Sequence, residues 1–408
     1  MQNSTVARSA YDMPEGTSDW ALVAVGRGTP GGELLRRYWH PVALAEEATD
    51  LPRPVRYLGE DLVLFRDGQG AVGLFYPRCA HRGTSLLYGR VEADGIRCCY
   101  HGWKFETGTG RCAEQPCEPR GSRPRGRTMQ PAYPVVERHG AIWAYMGPPD
   151  RMPAFPRFSI FEDMGPDDAG IAFYISMTGT DPALPVNYNY FQLYENFVDP
   201  LHVPILHFMI SGPQFGEAWG GNEADWASEL VWTETPHSMV RHTRFRGADG
   251  APRARVTETV LPCMAFMPSL IAPDGPATEV TWIQPLDDRH HRVLILQRTK
   301  RGAAPPRMDD FHRYGPARKT WAELTPEEHQ RYPGDHDAQR GQGVVTLHSE
   351  EHLATSDRGV VRLRRRFREQ CAIVAAGGEP VGLDFEDGVF PVGSGVFRLP
   401  AQGRSASD

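Results

Sequence analysis

Two short segments, Cys79-Ala80-His81 and Cys98-Cys99-Tyr100-His101, each carry a thiol close to an imidazole, with sixteen residues between them. A [2Fe–2S] cluster with two thiolates on one iron and two imidazoles on the other needs this donor set, and exchanging thiolates for neutral imidazoles raises its reduction potential. Such a cluster is suited to accept electrons from a flavin or a ferredoxin. A structural zinc site is the competing reading, but those sites commonly pair Cys with Cys and His with His. A mixed pair at each end disfavours zinc. Cys98 rather than Cys99 gives the Cys-x-x-His spacing, and along a strand Cys99 would point the other way. The cluster candidates are therefore Cys79, His81, Cys98 and His101, with Cys112 and Cys117 outside the pattern.

A second constellation lies in Glu195-Asn196-Phe197-Val198-Asp199-Pro200-Leu201-His202-Val203-Pro204-Ile205-Leu206-His207. Two His five apart point about 140° apart on a regular helix, so an unbroken helix does not easily aim both at one metal. Pro204 lies between them, and its missing N–H and ring clash interrupt the regular ladder, which could bring the imidazoles together. The bland alternative is two unrelated His on a broken helix. Two imidazoles and one carboxylate on one face of Fe(II) leave positions for dioxygen and substrate, so a carboxylate has to be found. Asn196 and Asp199 are the polar candidates beside these His.

The elements that must position these groups follow from the pattern. Between about Arg53 and Phe105 the chain alternates short apolar runs with turns such as DGQG and ETGTG, which reads as a small all-β unit. A Gly-Pro-Pro cluster at 147–149 follows the apolar strand Ala141–Tyr145, and the expected division is an N-terminal segment 1–34, a cluster domain 35–150 and an iron domain 151–408. The last part is expected to hold strands near 171–177, 229–234, 238–246, 253–260, 279–284 and 291–298, with helices in part of 187–208 and most of 350–376. Residues 301–343, rich in Pro, Gly and charge, read as a long irregular insertion. With 44 basic against 51 acidic residues the chain offers no field for nucleic acid or an anionic membrane. No start signal and no apolar run of roughly 18 residues is visible, and four of seven cysteines cluster between 79 and 112. The expectation is a cytoplasmic protein.

The segments CAHRGTSL and GIRCCYHGWKF, with GTPGGELLRRYWHPVAL and GEDLVLFRD upstream, resemble the oxygenase (alpha) subunits of Rieske non-haem iron aromatic-ring-hydroxylating oxygenases, in particular the phthalate-dioxygenase-like branch. The resemblance is close over the first 160 residues and patchier beyond. It implies an α+β protein with an N-terminal all-β Rieske domain and a C-terminal helix-grip catalytic domain built on an antiparallel sheet. It also implies a Rieske cluster and a mononuclear Fe(II), a separate NAD(P)H-dependent reductase, and a homotrimer in which each cluster adjoins a neighbour's iron. Asp199 would then bridge an iron-ligand His to a Rieske His of the adjacent subunit. Hydroxylation, or oxidative demethylation, of an aromatic substrate is the implied activity.

The same resemblance places the missing carboxylate on a C-terminal helix, in EEHLATSDRGVVRLRRRF, and selects Asp357 as the third ligand with His202 and His207. Val360, Leu363, Phe367, Cys371 and Val374 recur on one helical face, and Asp357 shares it. The alternatives are a helix-start Asp serving backbone N–H groups, and Glu350 as the ligand. The arginine run from 358 to 368 reads as a solvated face, with docking of an acidic reductase as the sharper option. His348 and His352 lack a third convergent ligand, and Tyr188, Tyr190, Phe191 and Tyr194 read mostly as core. Arg241, Arg244 or Arg246 could clamp an anionic substrate. The rival function is a Rieske electron carrier whose second domain holds no iron.

Overall fold

The computed structural model describes residues 10–119, 128–176, 181–212, 214, 231–246, 249–268, 274–305, 312–384 and 386–400. It is an α+β fold. Two short helices, α1 (Trp20–Val23) and α2 (Pro30–Leu35), come first. Thr29 starts α2 by accepting from Gly32 N, and Pro30 occupies the first turn, where its missing N–H costs nothing.

The all-β part follows. Strands β1 (Trp39–Leu44), β10 (Ala141–Tyr145) and β9 (Val135–Arg138) form one antiparallel sheet in that order. A meander of β2 (Arg53–Tyr57), β3 (Glu60–Arg66) and β4 (Val72–Phe75) forms a second. A third contains β5 (Arg90–Glu92), β6 (Gly95–Arg97), β7 (Lys104–Glu106) and β8 (Cys112–Glu114). A small core of Phe65, Phe75, Leu86, Ile96 and Phe105 lies beneath the cysteines. Every residue of β10 is buried, because this strand is covered by the rest of the chain: Trp143 meets Trp282 edge-on at 5.3 Å.

In the remainder, a short parallel pair joins β11 (Arg157–Phe158) to β20 (Val389–Phe390). The large antiparallel sheet is ordered β12 (Asp168–Ile175), β19 (His291–Lys300), β18 (Glu279–Pro285), β16 (Met264–Phe266), β15 (Pro252–Val260), β14 (Ser238–Arg246) and β13 (Val231–Glu234). β17 (Gly275–Pro276) and β21 (Gly395–Arg398) extend it beside β15. The helices are α3 (Tyr190–Asn196), α4 (His202–Pro204), α5 (Pro326–Arg331), α6 (Asp335–Gly341) and α7 (Arg358–Ala375). The strands expected near 238–246, 253–260, 279–284 and 291–298 all form, whereas residues 229 and 230 lie outside the described residues.

The apolar face expected on α7 packs inward, with Leu363, Phe367, Cys371 and Val374 buried and Phe367 edge-on to Phe191 of α3 at 5.1 Å. Burying a side chain such as Phe367 contributes about 1.5–3 kcal/mol. The arginine run is not a free solvated face. Arg362 donates to Trp232 O, Arg366 to Thr235 O and Pro236 O, and Arg368 to Asp19. Arg364, buried, is held between Glu195 on α3 and Glu351, which clamps the two helices together. Tyr188, Tyr190, Phe191 and Tyr194 are core.

Candidate metal centres

Two β-hairpin tips carry the first centre. Each is closed by a main-chain bond back to its cysteine: Gly83 N donates to Cys79 O at 2.8 Å and Gly102 N to Cys98 O at 3.1 Å. Both glycines have positive φ, +75° and +71°, which side-chain-bearing residues rarely adopt. The Cys79 and Cys98 side chains are buried, and burial together with the neighbouring Cys98 sulfur pushes the Cys79 thiol up to about 11. A buried thiol beside a second sulfur suits a shared cation, which can bind both as thiolates. Cys99 is exposed, and Cys112 belongs to the core beneath. The His81 and His101 rings lie beside each other, centroids 4.6 Å apart, at the partly open surface, and Trp103 stacks on His81 at 4.4 Å. The donor set of two inner sulfurs and two outer imidazoles fits the mixed-ligand cluster.

The second centre depends on an irregular helix. After α4, residues Ile205–Ile210 form a π-helix, and Ser211 N donates to Leu206 O, five residues back. This wider turn brings residues five apart over one another, where a regular helix would separate them. The His202 and His207 rings thus approach to 5.4 Å between centroids. Breaking the α-helical ladder at Pro204 was the expectation; the widened turn after it is how the chain does so.

The carboxylate that meets them is Asp335, not Asp357. Asp335 Oδ1 lies 3.5 Å from His202 Nε2 and Oδ2 3.3 Å from His207 Nε2, and these three residues offer ligand atoms all within 4.8 Å of one another. Burial alone would raise the Asp335 carboxyl, but attraction to His207 and His202 overrides it and holds the group well below the usual carboxylate range. Asp357 instead accepts from Ala354 N at 2.6 Å and closes the turn before α7, the helix-start role weighed against it above. Glu350 is exposed and is no part of the cluster either.

Asp335 comes from the segment read as an irregular insertion. Its local sequence, Pro333-Gly334-Asp335-His336-Asp337, looks like ordinary helix-start chemistry, which hid it. Asp337 does that work, accepting from Gly334 N at 3.0 Å and from Trp321 Nε1 at 2.9 Å, and so leaves Asp335 free to face the imidazoles. A Pro-Gly break followed by two acids, one more than a cap uses, was the only signal available.

Polar neighbours orient these groups. Asn196 Nδ2 donates to Asp335 Oδ1 at 3.2 Å and lies 3.2 Å from His202 Nε2. Asp199, half-buried, stands 3.6 Å from His202 Nδ1 and is tied to Leu201 N at 3.0 Å. Burial would raise the Asp199 carboxyl, but His202 outweighs it and the net shift is downward; the His202 imidazole is raised in turn, against its own burial. Gln214 Oε1 accepts from His207 Nδ1 at 2.5 Å. His207 therefore presents Nε2 to Asp335 and Nδ1–H to an oxygen acceptor, which is the tautomer a metal ligand needs, and the Asp199 carboxylate near His202 Nδ1 favours the same form there.

Of the arginines considered for an anionic substrate, Arg241 lies on the sheet face beneath α3, donating to Phe197 O and Thr257 Oγ1. Arg244 is exposed, and the Arg246 side chain lies outside the described residues. Arg255 shares the Arg241 face by register. Burial brings the two guanidiniums down to about 10 and about 9, with Arg241 repelling Arg255. His348 accepts from Asp19 N and joins no metal group among the described residues.

Residues 38–134 match the Rieske [2Fe-2S] domain family. Over 401 residues the chain is 44% identical to the alpha subunit of phenoxybenzoate dioxygenase from Ectopseudomonas oleovorans, covering 96% of this chain and 94% of that protein. The chain belongs to the Rieske non-haem iron oxygenases. This Rieske oxygenase is also 33% identical over 378 residues to the oxygenase subunit of 5,5'-dehydrodivanillate O-demethylase from Sphingobium sp. strain SYK-6, covering 89% of this chain and 81% of that one. Its fold is that of dicamba monooxygenase bound to dicamba, with a TM-score of 0.60 at 20% identity, over 84% of this chain and 99% of that one. It uses a Rieske cluster and a mononuclear iron, and it is the oxygenase component of its system rather than an electron carrier. Among its described residues no helix is long and apolar enough to cross a membrane.

Proposed function

We propose that this Rieske oxygenase inserts oxygen into an aromatic carboxylate that carries an aryl ether. The observation that carries the substrate class is identity of 44%, over nearly the whole chain, with a protein named for phenoxybenzoate. The two repelling guanidiniums of Arg241 and Arg255, on the sheet face under the iron helices, support an anionic group on that substrate. A carboxylate is matched to them in charge, and a guanidinium can hold one through two parallel hydrogen bonds.

In this reading residues 35–150 form the cluster domain and 151–408 the iron domain. Cys79 and Cys98 hold one cluster iron, His81 and His101 the other, and His202, His207 and Asp335 hold the mononuclear iron. When bound, the cluster would supply one-electron transfer from a separate reductase and the iron would supply dioxygen activation beside the substrate. Asn196 steadies Asp335, and Asp199 keeps His202 in its Nδ1–H form. Asp199 is part-exposed, as are His81 and His101, which suits an electron path between neighbouring subunits of a homotrimer. Head-to-tail contacts that close into a ring would supply it.

The test is a panel of phenoxybenzoates, methoxybenzoates, benzoate and neutral diphenyl ether, with a surrogate reductase, scoring oxygen uptake against product. Ether carboxylates should couple uptake to product, and diphenyl ether should not. Arg241→Met should raise KM for the carboxylates far more than for any neutral substrate. Equal coupling with diphenyl ether would overturn the substrate class, and a fully active monomer on sedimentation would overturn the trimer.

A further inference from the structure

The two iron-site imidazoles are backed differently. His202 has a part-exposed carboxylate, Asp199, behind it, whereas His207 faces a neutral amide that is 0% exposed, that of Gln214. Gln214 is held on every side. Its main-chain N donates to His207 O at 3.1 Å, and its own carbonyl accepts from Arg313 N at 3.0 Å. Its Oε1 accepts from His207 Nδ1 at 2.5 Å and from His312 Nε2 at 3.1 Å, and its Nε2 donates to Pro333 O at 3.3 Å. The amide orientation follows from chemistry, because the reverse would set Oε1 against the Pro333 carbonyl, two acceptors facing each other. Facing an amide oxygen that can only accept, His312 Nε2 is the donor, and Tyr314 OH, 3.5 Å from His312 Nδ1, is placed to donate to that nitrogen. Ser211 Oγ adds a second bond to Pro333 O at 2.5 Å.

We propose that Gln214 is the positioning residue of the iron site: it holds His207 with Nδ1–H toward the amide and Nε2 toward Asp335, and it joins to that ring the segments carrying His312 and Asp335. The proposal rests on reading His202, His207 and Asp335 as the iron ligands. Pro333 is two residues before Asp335, so the bond from Gln214 Nε2 sets where the carboxylate enters relative to the imidazole. One side chain thereby couples the ring's tautomer to the approach of the third ligand. A neutral acceptor does this without placing a second buried anion beside Asp335, whose desolvation would be costly.

The probe is cobalt(II), titrated into full-length protein depleted of mononuclear iron with its cluster intact. Wild type should bind one cobalt and show two hyperfine-shifted, exchangeable imidazole N–H signals, the one from His207 exchanging slowly because its acceptor is dry. Gln214→Leu should weaken cobalt binding by about 10–100-fold and speed exchange of the His207 signal alone. His312→Phe, which removes only the second donor, should weaken binding less and leave both signals in place. Cobalt binding by Gln214→Leu at wild-type affinity, or equal loss of both N–H signals, would overturn the proposal. Should Gln214→Leu not fold, two fast-exchanging signals in wild type would overturn it just as well. Asp335→Asn separates the underlying reading: if it binds cobalt like wild type, the ligand set itself is wrong and this proposal goes with it.

Discussion

Replacing Asp335 by Asn keeps the shape of the side chain and removes its charge. Three atoms no more than 4.8 Å apart all lie within about 2.8 Å of a common centre, where a carboxylate attracts a divalent ion by about 12 kcal/mol at an effective dielectric constant of about 20. Desolvating the ion and the carboxylate offsets much of this, several kcal/mol for each. If about 4 kcal/mol survives, iron affinity falls about 1,000-fold in Asp335→Asn. Asp357→Asn, by contrast, keeps an oxygen that can accept from Ala354 N and should cost less than about 0.5 kcal/mol of stability with iron retained. The assay is anaerobic Fe(II) titration of protein depleted of mononuclear iron, with the cluster spectrum as an internal control that both variants should leave unchanged. Iron binding by Asp335→Asn within tenfold of wild type would refute the reasoning. So would loss of iron in Asp357→Asn.

Three further outcomes follow from the geometry. Cys98→Ser should abolish the red-brown colour and the mixed nitrogen and sulfur electron paramagnetic signal, while Cys99→Ser keeps both, since only Cys98 is buried beside Cys79; the reverse would mean the wrong thiolate was chosen. Asp199→Asn should retain cluster, iron and oligomer but slow turnover by about 10–100-fold, and stopped-flow reoxidation of the cluster at wild-type rate would contradict its placement on the electron path. Arg97 and Arg90 hold the Glu92 carboxylate down to about 2, against an ordinary 4.5, even though partial burial opposes this. A depressed folded-state value means stability that is full above pH 4.5 and is lost as pH falls toward about 2, so the gap in urea midpoint between wild type and Glu92→Gln should be largest near neutrality and close across that window. A gap that is constant with pH would show that the ion pair contributes nothing.

The sequence by itself determined the donor chemistry wherever ligands are close along the chain. Cys79, His81, Cys98 and His101 occupy two hairpin tips of a local β unit, so spacing alone specifies which side chains meet; Cys98 is buried and Cys99 exposed, as the Cys-x-x-His spacing requires, although both lie in the turn after β6 and not along the strand. The five-residue gap between His202 and His207 likewise announced a broken helix, because no regular helix aligns such a pair, although that the break is a π-turn is a matter of backbone geometry. Tertiary structure alone decided the rest. Asp335, Gln214 and His312 reach His207 from segments with no periodic relation to it, and locally Asp335 is indistinguishable from a helix-start acid. Asp357 carried every local sign of a ligand, an acid on the buried face of an amphipathic helix, yet its turn uses it for a backbone N–H. The arginines of α7 looked solvated for the same reason: a helical pattern shows which residues share a face, but only packing against β13, α3 and Asp19 shows that most of that face is paired. Local spacing fixes contacts within a turn or a hairpin, whereas a site assembled across more than a hundred residues depends on how the sheet and its helices close around it.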